Sequence, residues 1–140
     1  MLKTILVALD SSEVSHCVIQ SLDELQIQPA TKIILSHVIP APEPDGEMAV
    51  DRPQTSEELL YRQIEKQLQS YQDHFHCESE LEIVSGDPAV EIVRLAHIHQ
   101  ADLIVIGTRG LTGLNRILQG SVSSQVVADA PCSVLVVKSD

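Results

Sequence analysis

The chain has 140 residues, 44% of them hydrophobic, and a formal net charge of −11 from 20 acidic against 9 basic residues. That length gives a single domain, residues 1–140, whose core needs neither metal nor disulfides. The acidic balance argues against nucleic acid or an anionic membrane as partner, because both need a basic face. With Trp 0, Phe 1 and Tyr 2 the core must be aliphatic, and no apolar run reaches the roughly 18 residues of a membrane-spanning helix.

The first residues, Met1-Leu2-Lys3-Thr4-Ile5, run straight into a strand-like segment with no secretory cleavage pattern. Cys17, Cys77 and Cys132 are odd in number and widely spaced, and read as small apolar residues in a reducing cytoplasm. Thr4 to Leu9 is a short apolar run ending at Asp10, which predicts a buried strand. From about Ser12, the positions Val14, Cys17, Val18, Leu22 and Leu25 fall at helical spacing, with Asp10, Ser11 or Ser12 as cap. Thr31 to Val38 makes a second buried strand. The stretch from Ile39 to Gln54 holds Pro40, Pro42, Pro44 and Pro53, and is too long for a routine connection.

Thr55-Ser56-Glu57-Glu58 reads as a capping box opening a long helix, with Leu60, Ile64, Leu68, Tyr71 and Phe75 on one face. Leu81 to Val84 is a third strand. In Ser85-Gly86-Asp87-Pro88 the Asp takes the N-cap and the Pro the first helical position. The helix that follows turns Ala89, Ile92, Val93 and Ala96 inward. Asp102 to Ile106 is a fourth strand, a fourth helix runs from about Ser121 to Asp129, and Ser133 to Val137 is a fifth strand. Five strands alternating with four helices predict an open α/β sheet, parallel, with helices on both faces.

The fourth strand delivers the chain into Gly107-Thr108-Arg109-Gly110, then nine residues, then Gly120-Ser121 at the start of a helix. Glycine lets backbone N–H groups approach an anion without a Cβ in the way, and a helix N-terminus adds unpaired donors. This pattern predicts a phosphate site. Neither G-x-x-x-x-G-K-[ST] nor G-x-G-x-x-G occurs. Only Arg109 and Arg116 in the loop offset the acidic field, so backbone N–H groups and a divalent cation, Mg²⁺ or Mn²⁺, are expected to carry much of the phosphate binding.

The order of elements and the Gly107-x-x-Gly110-(nine residues)-Gly120-Ser121 motif resemble the ATP-binding branch of the universal stress protein family. The likeness runs from Ile5 to the closing strand Ser133–Val137. It implies an adenine nucleotide alpha hydrolase-like, Rossmann-like sheet of five parallel strands in order 3-2-1-4-5. Strands 1 and 4 would then be neighbours whose connections leave toward opposite faces, and ligands bind at such a switch point. The resemblance further implies that Asp10, with Ala8 and Leu9, edges the nucleoside, and that Val38 lies along the adenine. Ile106, Gly107, Arg109 and Gly110 would lead the chain past ribose and phosphates. Gly120, Ser121, Val122 and Ser123 would hold phosphate. A homodimer through the last strand is implied as well. Its four consecutive apolar residues would otherwise form an unpaired sheet edge.

Several of these residues have plainer readings. Asp10 also suits the cap of the first helix, and Val38 the core at a strand end. Gly113 reads as a turn glycine, Arg116 as solvated, and Ser123 as a helix-surface serine unless ligand reaches it. His74-Phe75-His76-Cys77 and His97-Ile98-His99 contain ligand-type residues. Spacing of i, i+2 puts them on different sides of a helix, though, and no zinc-type spacing accompanies them. No activated nucleophile beside a base is visible for the expected crevice. The expected function is therefore an ATP-binding stress or regulatory module in the cytoplasm. A slow Mg-dependent ATPase is the second reading. The third is a scaffold that binds AMP or a cyclic dinucleotide and passes occupancy to an unidentified protein partner.

Overall fold

The computed structural model describes residues 2–9, 14–40, 54–108 and 122–138. The elements are β1 (Thr4–Ala8), α1 (Val14–Glu24), β2 (Lys32–Pro40), α2 (Gln54–Gln72), β3 (Ser79–Gly86), α3 (Pro88–His99), β4 (Leu103–Thr108), α4 (residues 122–129) and β5 (Ser133–Lys138). The five strands form one parallel sheet in order β3-β2-β1-β4-β5. The expected fold class and strand order are both present.

β1 lies at the centre, paired with β2 from Thr4↔Lys32 to Ala8↔Ser36 and with β4 from Ile5↔Leu103 to Ala8↔Ile106. A central parallel strand is covered on both faces, which is why its residues read as a continuous apolar run. Ile5, Leu6 and Val7 are all fully buried. Successive side chains point to opposite faces. Ile5, Val7 and Leu9 therefore pack with Val18 and Leu22 of α1 and with Ile64, Leu68 and Tyr71 of α2. Leu6 joins Ile34 and Ile104 beneath Ala89, Ile92, Leu95 and Ala96 of α3 and Val126 of α4.

Local signals locate both ends of α3 and the end of β3. Asp87 caps α3 from an extended backbone, its carboxylate accepting from the Val90 N–H at 3.0 Å, and Pro88 occupies the first turn. The helix closes at Gln100 in the left-handed region, φ 52°. Gly86, which ends β3, has φ +144°, a backbone that disfavours a side chain.

Several expectations need correction. The buried face of α3 is Ala89, Ile92, Leu95 and Ala96, so Leu95 takes the place expected of Val93. β2 runs on through Ile39 and Pro40, so the irregular stretch starts later; residues 41–53 lie outside the described residues. α2 begins at Gln54, so Thr55 lies within the helix and not at its N-cap, and the inward stripe starts at Ile64 and not at Leu60. Leu60 is 44% exposed, beside exposed Leu59 and Tyr61.

The amino end of the sheet is closed by Asp102. Its Oδ2 accepts the N–H groups of Lys3 at 2.8 Å and Thr4 at 3.0 Å, while its own N–H donates to the Thr4 carbonyl at 2.8 Å. The two backbone N–H bonds, from Thr4 first and then Lys3, hold this carboxyl below the usual aspartate range. A carboxyl depressed in the folded state stabilises above its unfolded pKa of about 3.9, and that contribution disappears as pH falls through the folded value. Urea unfolding of the parent and of Asp102→Asn should therefore differ at pH 7, with the parent more resistant. The gap should close progressively below pH ~4; a gap independent of pH would show that the charge is not what ties β1 to β4.

Candidate functional site

β1 and β4 lie side by side, and the helices that follow them cover opposite faces: α1 the face of Ile5 and Val7, α4 that of Leu6. The chain thus leaves these two strands toward opposite faces, which makes their carboxyl ends the topological switch point where open α/β sheets place a ligand crevice. Ala8 is the last paired residue of β1, held by Ser36 on one side and Ile106 on the other. One step further, the Leu9 N–H still donates to the Ser36 carbonyl at 2.8 Å. β4 continues past Ile106 to Gly107 and Thr108, alongside Val137 and Lys138 of β5.

Alternation decides which side chains border the crevice. Ala8 and Val38 are half-buried and pack on the same cluster, toward α3 and α4. Ile106 is 4% exposed within that cluster, and Val122 at the start of α4 is half-buried against it. Gly107 is partly exposed at the end of β4. Leu9 turns the other way and is buried against α1 and α2, so its backbone, not its side chain, borders the crevice. Ser123 is buried at 8% exposure, not on the helix surface. Asp10, Arg109, Gly110, Gly120 and Ser121, with Gly113 and Arg116, lie outside the described residues.

The structure adds Val84, which sequence reasoning missed. It pairs with Val38 across β2 and β3 and packs on the same cluster, extending the apolar platform of Ala8 and Val38 toward the sheet edge. The β2–β3 register, eight residues long, is what brings it there, and periodicity within β3 alone carries no such signal. Ser36, the polar neighbour of Ala8, donates its Oγ proton to the Val7 carbonyl at 2.9 Å and is fully buried. Its hydroxyl serves the strand pair. His37, just before Val38, is buried as well.

The two histidine pairs also resolve. His99 is half-buried with Nε2 3.2 Å from Glu82 Oε2, whereas His97 is exposed at the end of α3. Among the described residues, no group of three or more His, Cys, Asp or Glu could hold a metal ion. Nor, among them, is any helix long and apolar enough to cross a membrane.

The chain matches a known family model, described as the universal stress protein family, over residues 1–138. The chain belongs to the universal stress protein family. A universal stress protein of Synechocystis is 34% identical over 152 aligned positions, covering 96% of each chain. One of Methanocaldococcus jannaschii is 58% identical over 57 residues, spanning 41% of this chain and only 34% of that longer protein. Among solved structures, the hypothetical protein MJ0577 is similar with TM-score 0.79 at 29% identity, covering 99% of this chain and 96% of that one. A universal stress protein solved in complex with cAMP shares the fold, with TM-score 0.71 at 22% identity, 98% of this chain and 97% of that one being covered.

Proposed function

We propose that this universal stress protein binds an adenine nucleotide, ATP foremost, and acts as a regulatory module whose occupancy is read by a partner protein. The observation that carries the reading is the divergence of β1 and β4 beside an apolar platform. Ala8, Val38 and Val84 offer one flat aliphatic side for a base, and Gly107 starts the glycine motif immediately next to it. Ligands of open α/β sheets occupy this position. The solved family member with cAMP supports the reading as an analogy of fold.

In this reading Asp10 edges the ribose side, and the backbone of Gly107–Gly110 passes the sugar and phosphates. Gly120, Ser121, Val122 and Ser123 present N–H and hydroxyl donors to the phosphates. Replacing Gly110 or Gly120 by Val would put branched carbons where phosphate or its donors sit. Calorimetric titration should show ATP affinity reduced by about tenfold or more, a loss of about 1.4 kcal/mol, while circular dichroism keeps the α/β signature. Parent-like affinity in both variants would refute the site. ATP turnover measured on the same proteins separates a binding module from a slow ATPase.

The chain's net charge of −11 opposes a polyphosphate. A divalent cation, Mg²⁺ or Mn²⁺, would neutralise part of the phosphate charge and act through the ligand, so ATP should bind several-fold more tightly with Mg²⁺ than with a chelator. Equal affinities would mean that the amides and arginines suffice.

A homodimer through β5 completes the reading. β5 is the sheet edge, paired with β4, and Val134, Leu135, Val136 and Val137 are all only half-buried in the single chain. Such an edge pairs readily with its own copy about a two-fold axis. The thiols of Cys17, Cys77 and Cys132 are free, which suits a reducing cytoplasm. Sedimentation at micromolar concentration should give a dimer for the parent and a monomer for Val136→Pro with an unchanged circular dichroism spectrum. A monomeric parent would refute the pairing.

A further inference from the structure

The opposite end of the sheet carries a second concavity. At the amino ends of β2 and β3, the turns that follow α1 and α2 meet around a cleft of about 180 Å³. Leu22, Ile27, Phe75 and Cys77 supply its apolar wall, and Asp23 and the imidazoles of His74 and His76 supply its polar one. Leu22 is 1% exposed, and Ile27, Phe75 and Cys77 pack half-buried against the core beneath α1 and α2. This wall is thus rigid. Phe75 is also the single phenylalanine of the chain. Burial pushes the Cys77 thiol up, in keeping with a poorly solvated floor.

The charged residues adjacent in sequence to the cleft lining are acidic. Besides Asp23, the neighbours of its lining residues in the chain include Glu24, Asp73 and Glu78, all exposed. Residues 4–31 and 67–93 contain no lysine or arginine. Lys32, which follows these turns, is engaged by Glu80 at 2.7 Å. The volume falls below the roughly 300–1,000 Å³ of ordinary small-molecule sites. It matches one long side chain belonging to a larger ligand.

We propose that this cleft docks a basic peptide segment of a partner protein, taking an arginine flanked by an apolar residue. The aliphatic stem of arginine lies along Ile27 and Phe75 while its charged head stays at the rim, as long cationic side chains do at apolar surfaces. Asp23 offers a carboxylate that a guanidinium can engage with two parallel hydrogen bonds, and Phe75 an aromatic ring that attracts a cation. The acidic neighbours steer a basic segment toward the cleft and repel an acidic one. The site stands at the far end of the strands from the crevice and does not depend on nucleotide binding there.

The test uses the full-length, ¹⁵N-labelled chain and three probes: N-acetyl-Leu-Arg-amide, its Leu-Glu counterpart, and spermidine. The Leu-Arg peptide should shift amide signals of residues 22–29 and 73–78 with millimolar affinity, as one anchored side chain gives, leaving β4 signals in place. Asp23→Lys should weaken this about tenfold, equivalent to about 1.4 kcal/mol. That substitution falls in the last turn of α1, where a cation suits the helix dipole, so folding is retained and is checked by circular dichroism. No shift at ~10 mM peptide, equal shifts with the Leu-Glu peptide, or unchanged affinity in Asp23→Lys would each overturn the proposal. Equal or stronger shifts with spermidine would overturn it in favour of a small polycation.

Discussion

The constraint on which the rest depends is that β1 must be buried on both faces and hydrogen-bonded along both edges. Its three central residues, Ile5, Leu6 and Val7, are wholly removed from water, and each face then needs its own covering layer. A parallel neighbour on each side can be reached only by crossover through a helix. α1 and α2 cover one face, and α3 and α4 the other, so the chain must leave adjacent strands in opposite directions somewhere. It does so between β1 and β4. The crevice is therefore a consequence of the way the core is covered, and the residues beside it are simply the ends of core strands.

That origin explains the character of the candidate site. Ala8, Val38 and Val84 belong to the same aliphatic cluster as Leu6, Ile34 and Ile104, which makes them a stiff platform. The polar groups next to them are engaged within the fold: Ser36 Oγ with the Val7 carbonyl, and the Leu9 N–H with the Ser36 carbonyl. For the proposed nucleotide, polar recognition would therefore come from residues beyond Leu9 and Thr108 in sequence, in keeping with the usual division of labour in α/β ligand sites.

The two ends of the sheet are built differently. At the amino end, Asp102 ties the starts of β1 and β4 with three hydrogen bonds, and the Thr31 hydroxyl donates to the Leu2 carbonyl at 2.8 Å. Backbone groups that would otherwise fray are satisfied there. The outer strands differ too. β3 carries Glu80 and Glu82, paired with Lys32 and His99, whereas β5 shows four apolar residues in succession. Charged side chains blunt an edge against further pairing and apolar ones do not, so the two margins of the sheet differ in chemistry, one charged and one apolar.

Much of this was legible in the chain because the relevant rules act over a few residues. Apolar runs marked the strands, 3.6-residue spacing marked the helices, and Asp87-Pro88 fixed the start of α3 through a cap that involves only Val90. The strand order was not legible in that way. It came with the family motif, because hydrogen-bond partners such as Val7 and Val105 are separated by most of the chain. The same separation decided what periodicity could not. Leu60 keeps the helical spacing of Ile64 and Leu68, yet it is 44% exposed while they are buried. Leu9 and Ala8 are adjacent in sequence and face opposite cores. Val84 joins the platform of Ala8 and Val38 only through the register of β3 on β2. The sequence by itself determined the elements, the aliphatic core and the glycine motif, since each is set by local spacing. Only the tertiary structure decided which side chains share a face of the crevice, since register arises from pairing between distant strands.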